Sequence, residues 1–229
     1  MDLQCKVAII TGGSKGIGKA TAEALLAKGA VVAGWSRSAP DDLTHENFHF
    51  FACDVQDEAS VQQAYAATID KLGAAQVLVN NAGIGNMGNI DGFSSEEWRA
   101  MFDTNVHGVF YCTKAVLPRM KEQGEGHIIN VASLAGTAGS AGMAGYCATK
   151  FAVRGFSDAL FKEVRQDGVR VTCVMPGSVE TNFGGTEPGQ EPNPHKMQPE
   201  DIAEAIVHAL EAPKATMISE IQMRPSMPK

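Results

Sequence analysis

The sequence predicts an α/β protein: a doubly wound parallel sheet of about seven strands with helices on both faces. Three observations predict it. Short apolar runs alternate strictly with helix-length segments along the chain. Several of these runs are apolar at consecutive positions, as strands buried on both faces of a parallel sheet must be. A glycine-rich turn follows directly on the first run, and glycine is in excess, 24 in 229 residues, against an average near 7%.

The strands are expected at residues 6–11, 30–37, 47–55, 76–81, 127–132 and 169–175, with a last one inside 216–223 stopped by Pro225. Helices are expected at 16–28, 57–72, 94–122, 146–166 and 199–211. Ser94 and Glu97 have the spacing of a capping box at the start of the third helix. Residues 182–198 break the rhythm with six Gly or Pro in 17 positions. A loop that long, between a strand's C-terminal end and a helix, reads as a lid over a ligand site. Without repeats or a linker, residues 1–229 read as one domain.

Nineteen Lys and Arg against 26 Asp and Glu give a net charge of −7. That balance predicts no general attraction to nucleic acid or to anionic membrane surfaces. Cys5, Cys53, Cys112, Cys147 and Cys173 are odd in number, widely spaced and mostly within apolar runs. They read as reduced thiols of a cytosolic protein. The apolar stretch near the N-terminus is too short for a signal peptide or a membrane span, so a cytoplasmic location is expected.

The first strand leads into Thr11-Gly12-Gly13-Ser14-Lys15-Gly16-Ile17-Gly18. A strand, a tight turn and a helix N-terminus together make an anion site, because free N–H groups and the positive dipole end face the same point. Gly12 allows the turn, Gly16 the close approach of a pyrophosphate, and Gly18 tight packing of helix on strand. The spacing differs from the G-x-G-x-x-G fingerprint and lacks the Gly-Lys-Ser/Thr of a P-loop. At the end of the second strand, Ser36 and Arg37 stand where a carboxylate would bind the ribose hydroxyl of NAD. With Lys15 close by, this pattern suits a 2′-phosphate and predicts NADP(H) over NAD(H).

Tyr146 and Lys150, four apart at the start of a helix, project from one face. A neighbouring ammonium is expected to favour the phenolate and so tune Tyr146 for proton transfer. Ser133, ending the fifth strand, could polarise a carbonyl. The Gly-rich turn, Asn80-Asn81-Ala82-Gly83, Ser133, Tyr146-Cys147-Ala148-Thr149-Lys150 and Pro176-Gly177 occur in the order and spacing of one family. Across residues 6–181 the chain resembles the short-chain dehydrogenase/reductase family.

That resemblance implies a Rossmann-type fold and hydride transfer between NADP(H) and a carbonyl or secondary alcohol. It implies Asn105, Ser133, Tyr146 and Lys150 as the catalytic set, with Asn105 holding a water that links Lys150 to solvent. It puts Asp54 and Val55 beside the adenine, Asn81, Ala82 and Gly83 along the adenosine ribose, and Thr181 at the nicotinamide carboxamide. Ser14, Ile17, Tyr146, Lys150, Pro176 and Gly177 complete the expected cofactor contacts.

The substrate is expected to be a small ketone or aldehyde. A 3-oxoacyl-[acyl-carrier-protein] reductase is the alternative, disfavoured because no basic docking face is evident. A non-catalytic nucleotide-binding regulator is the remote one, since such a protein has no need of Ser133, Tyr146 and Lys150. A homodimer or homotetramer through helices 94–122 and 146–166 is expected from the resemblance. The family's usual glycine-rich ending is absent, leaving contacts through the last strand undetermined. No metal site is expected, as His45, His49, His107, His127 and His208 lack ligand spacing; His195 in the lid reads as solvated. Met143 could line the substrate pocket.

Overall fold

The computed structural model describes residues 1–181, 183, 193 and 195–227. Seven strands form one parallel sheet in the order β3-β2-β1-β4-β5-β6-β7. They are β1 (Val7–Thr11), β2 (Val31–Ser36), β3 (Phe48–Ala52), β4 (Val77–Asn80), β5 (Gly126–Val131), β6 (Val169–Pro176) and β7 (Glu220–Met223). The helices are α1 (Gly16–Ala27), α2 (Glu58–Leu72), α3 (Ser95–Phe102), α4 (Gly108–Gln123), α5 (Ala144–Val164) and α6 (Pro199–Glu211). All seven expected strands and the predicted fold class are present.

Consecutive residues of a strand face opposite sides, so the continuous apolar runs feed two separate cores. Ala8, Ile10, Val32, Val79 and Val174 pack under Leu25 and Leu26 of α1 and Ile202, Ile206 and Leu210 of α6. Val7, Ile9, Trp35, Leu78 and Val171 face the other way, against Val61 of α2, Val116 and Met120 of α4 and Leu160 of α5. The largest of these side chains, Trp35, is fully buried, and its indole N–H donates 3.0 Å to Thr68 Oγ1.

The expected helix over 94–122 is two helices joined by a π turn at Asp103–His107. Its start is as expected: the Glu97 amide donates 3.1 Å to Ser94 Oγ, and the Ser94 amide donates 2.9 Å to Glu97 Oε2. The π turn interrupts the helix where Asn105 turns inward, which the residue pattern did not reveal. Pro118 lies inside α4 without ending it.

Strand order reverses between β1 and β4. In an open parallel sheet the two neighbouring connections depart to opposite faces there, leaving a crevice at the C-terminal edge. Every site residue expected after a strand therefore lies along one edge. Of the expected lid, residues 182, 184–192 and 194 lie outside the described ones. The ends of that segment are tied together: Val179 and Met197 form a parallel bridge. Buried Glu180 accepts hydrogen bonds from the Asn193 amide at 2.8 Å and Gln198 Nε2 at 3.1 Å. Among the described residues no helix is long and apolar enough to cross a membrane.

Candidate active site

The glycine turn takes the shape its residue types permit. Gly12 and Gly16 hold φ of +65° and +54°, in the region that disfavours side chains. At Gly18 a Cβ would come within 2.2 Å of the Gly12 carbonyl oxygen and 2.5 Å of Asn81 Nδ2, so helix and turn touch backbone to backbone. α1 then begins with no side-chain cap and no acidic residue in its first turn. Lys15 and Arg37 are exposed at this end of the sheet, and neither forms an ion pair among the described residues. Backbone donors and two cations around a glycine-rich turn fit a phosphate-bearing ligand.

Thr11, outside the expected set, and Asn81, inside it, hold this turn in place. Thr11 Oγ1 accepts from the amides of Asn81 and Ala82, both at 3.0 Å, stitching the end of β1 to the end of β4. Asn81 returns the contact, its Nδ2 donating to the carbonyls of Thr11 at 3.0 Å and Gly12 at 3.2 Å. The side chain expected along a ribose thus anchors the phosphate turn. Ser36 Oγ donates 2.8 Å to the Ser38 carbonyl. Asp54 Oδ1 caps the Gln56 amide at 3.0 Å, while Val55 packs against the start of α4, where a Gly108 Cβ would meet its Cγ2 at 2.9 Å.

Beyond β5 and β6, Ser133 Oγ donates 3.3 Å to the Pro176 carbonyl and accepts from the Ala135 amide at 3.2 Å. Ser133 also stands near enough to the Tyr146 phenol to favour its ionised form, against the larger effect of burial. Gly177 follows Pro176 and donates its amide 2.9 Å to the Met223 carbonyl, tying this end of β6 to β7. Lys150 is buried one turn along α5 from Tyr146, and its Nζ donates 2.9 Å to the Val131 carbonyl. That Nζ lies 5.6 Å from the centroid of the Tyr146 ring.

Burial moves these two groups in opposite directions. It pushes the Tyr146 phenol up to about 12, eased by nearby Ser133, and brings the Lys150 ammonium down to about 8. Desolvation outweighs the charge of an ammonium that points at a backbone carbonyl.

Asn105, wholly buried in the π turn, accepts from the Ile84 amide at 2.8 Å and donates to the Ile84 carbonyl at 2.8 Å. Its Nδ2 also reaches Thr149 Oγ1 at 3.0 Å. The side-chain amide thus fixes the loop after β4 against α5. Gly83, next in that loop, comes close to both: a Cβ there would lie 3.3 Å from Asn105 Oδ1 and 3.7 Å from Lys150 Nζ. Thr181 meets the turn directly, its Cγ2 3.3 Å from a Cβ placed at Gly16.

The tertiary structure adds four residues to which the sequence assigned no role. Thr149 joins Asn105 to α5. Buried Asn80 and Asn130 pair across β4 and β5 at 2.8 Å, and Asn130 donates 2.9 Å to Ser157 Oγ. Phe183 lies beside Tyr146, ring centroids 5.6 Å apart. The first three had Thr and Asn in otherwise apolar segments as a signal, while Phe183 had none.

A glycine turn at the sheet's reversal point and a Ser, Tyr and Lys gathered past β5 define a doubly wound α/β protein with a polar cluster at the C-terminal sheet edge. Comparison with known proteins places it further. The profile of the short chain dehydrogenase family matches residues 6–191. An uncharacterized oxidoreductase of Staphylococcus haemolyticus is 37% identical, covering 98% of this chain and 99% of its own. An alcohol dehydrogenase from the archaeon Thermococcus sibiricus, solved in complex with 5-hydroxy-NADP, superposes with a TM-score of 0.90 at 31% identity, covering 99% and 100%. A 3-ketoacyl-(acyl-carrier-protein) reductase from Brucella melitensis, solved with NADH, also gives 0.90, at 28% identity over 98% of each chain. The chain belongs to the short chain dehydrogenase family and is an oxidoreductase of that type.

Proposed function

We propose that the protein, as a single domain, is an NADP(H)-dependent oxidoreductase interconverting a small ketone or aldehyde and its alcohol. The observation that carries this reading is that Ser133, at the end of β5, stands beside the Tyr146 phenol, with buried Lys150 one turn further along α5. When bound, the nicotinamide would supply or accept the hydride at the carbonyl carbon. The chain's own residues manage the oxygen. Ser133 donates a hydrogen bond to it, and Tyr146 gives it a proton in reduction or removes one in oxidation. Burial holds Tyr146 protonated above neutral pH, the form that gives a proton in reduction. Lys150 offers positive charge to the phenol as the proton leaves. Asn105 positions the adjoining loop and, in the π turn, the water expected to relay protons from Lys150.

The cofactor would lie across the crevice, its pyrophosphate on Gly12, Ser14, Gly16, Ile17 and Gly18. Its 2′-phosphate would meet Lys15, Ser36 and Arg37, and its adenine Asp54 and Val55. Asn81, Ala82 and Gly83 would follow the adenosine ribose, while Pro176, Gly177 and Thr181 would take the nicotinamide end. The preference for NADP(H) rests on the two unpaired cations and the missing carboxylate after β2.

A carrier-protein substrate has less support. Lys121, Arg119, Arg154 and Lys114 are each paired with a carboxylate: Asp167 at 2.8 Å, Glu122 at 2.7 Å, Glu220 at 2.8 Å and Glu58 at 2.9 Å. A homodimer or homotetramer is supported by Phe110 on α4 and Phe151 on α5, each 45% exposed, and the reading keeps the expected cytoplasmic location. NADPH oxidation against a panel of ketones, aldehydes and 3-oxoacyl thioesters tests the reading. Turnover with small carbonyls is expected, and unchanged turnover in Tyr146→Phe would overturn it.

A further inference from the structure

Phe183 is the described residue of the 182–192 segment, and it packs on the site rather than away from it. Its ring is tilted 56° to that of Tyr146. It sits directly over Gly85, where a Cβ would come within 2.6 Å of Phe183 Cε1, 2.8 Å of Cζ and 3.2 Å of Tyr146 Cδ2. Gly85 is therefore a socket: only a residue without a side chain lets the ring lie this close to the loop after β4. The Phe183 amide donates 3.3 Å to Thr181 Oγ1, and Thr181 rests on Gly16 of the glycine turn. The backbone of Phe183 is thus tied towards the glycine turn while its ring lies against Gly85 and Tyr146. Phe183 is still 37% exposed, so part of its apolar surface remains open beside Tyr146.

The charge pattern around the ring is equally one-sided. Residues 82–90 and 133–149, the two segments flanking Tyr146, contain no charged side chain. They are joined by the Gly88 amide donating 2.8 Å to the Gly142 carbonyl. The cation immediately beyond them, Lys150, is buried and directed at Val131. A substrate carboxylate or phosphate would lose its hydration there without gaining a fixed positive partner among the described residues.

Resting on the carbonyl-reductase reading above, we infer that Phe183, seated on Gly85, is a specificity-determining wall that selects uncharged carbonyl compounds with aryl or alkyl substituents. The ring offers an aromatic or alkyl group a flat apolar surface beside the phenol, and it excludes water from the reacting oxygen.

The test is steady-state NADPH oxidation with acetone, acetophenone, pyruvate and benzoylformate, two pairs in which a carboxylate replaces a methyl group. The wild-type enzyme should reduce each neutral ketone with kcat/KM about tenfold or more above its anionic counterpart. Phe183→Ala should raise KM for acetophenone about tenfold and reduce its advantage over acetone. Gly85→Ala, which displaces the ring, should move the same ratio in the same direction. NADPH binding and thermal unfolding of each variant report whether the fold and cofactor site survive. Equal efficiency with benzoylformate and acetophenone, or an unmoved acetophenone KM in Phe183→Ala, would overturn the wall while leaving the reductase reading intact. No NADPH oxidation with any carbonyl would overturn that parent reading and the wall with it.

Discussion

Lys150 Nζ stands 5.6 Å from the centre of the Tyr146 ring but donates its proton to the Val131 carbonyl, 2.9 Å away. The ammonium is thus anchored to the end of β5, and α5 carries the phenol past it. Burial brings the ammonium down to about 8 and pushes the phenol up to about 12. Between these values the pair is a neutral amine beside a neutral phenol; below about 8 it is an ammonium beside a neutral phenol.

The pH dependence of reduction follows from that order. On the proposed reading, Lys150 loses, as pH rises through about 8, the charge that would stabilise the phenolate left by proton transfer. The kcat/KM for NADPH-dependent reduction should therefore be level below that point and fall above it. Profiles measured between acid and alkaline pH check this, and a rate rising through the same region would contradict it. Tyr146→Phe should lower kcat by about a thousandfold, with NADPH still bound in a fluorescence titration.

Stability should respond to Lys150 with the opposite sign. Its folded pKa is depressed, so between about 8 and the ordinary lysine value of 10.5 the unfolded chain binds more protons and stability rises with pH. Below about 8 the buried ammonium is a cost. Lys150→Met should be inactive yet more stable at neutral pH by roughly 1 kcal/mol, the loss of its hydrogen bond to Val131 offsetting part of the gain. That corresponds to about 2–4 °C in Tm. The difference should narrow as pH approaches 10, which differential scanning calorimetry can follow.

The cofactor preference is expected to rest on charge at the end of β2. Arg37→Asp should raise KM for NADPH about a hundredfold while lowering that for NADH, since a carboxylate repels a 2′-phosphate and bonds a ribose hydroxyl. Comparable kcat/KM with NADH in the unaltered enzyme would show that Lys15 and Arg37 do not read the phosphate.

The glycine turn should tolerate little. Gly18→Ala places a methyl 2.2 Å from the Gly12 carbonyl, a backbone atom that Asn81 also holds. A loss of roughly 2–3 kcal/mol is expected from overpacking, together with weakened NADPH binding. Thr11→Val, nearly the same shape, should cost a similar amount because it leaves two amides, of Asn81 and Ala82, without their acceptor. Denaturant unfolding measures both.

Much of the site was legible because its residue types have few alternatives. Glycines at a strand-to-helix turn, a Tyr and a Lys four apart, and a Ser at a strand end each declare a backbone or chemical need. What was not legible lies in contacts across long sequence separations. Asn81 reaches back to Thr11 and Gly12, and Asn105 turns inward only because a π turn interrupts a helix that the periodicity read as continuous. Phe183, in a stretch rich in Gly and Pro, gave no sign that it would meet Gly85 and Tyr146.

The sequence by itself determined the alternation of strands and helices, the parallel sheet, the glycine turn and the family to which the chain belongs. Local rules suffice for these, since apolar periodicity, caps and turn residues act within a few positions. The tertiary structure decided how the proton-transfer groups are tuned and what surrounds them. Desolvation depends on everything packed around a group, so only the assembled sheet edge could place Lys150 below its ordinary value, Tyr146 above it, and an aromatic ring at its side.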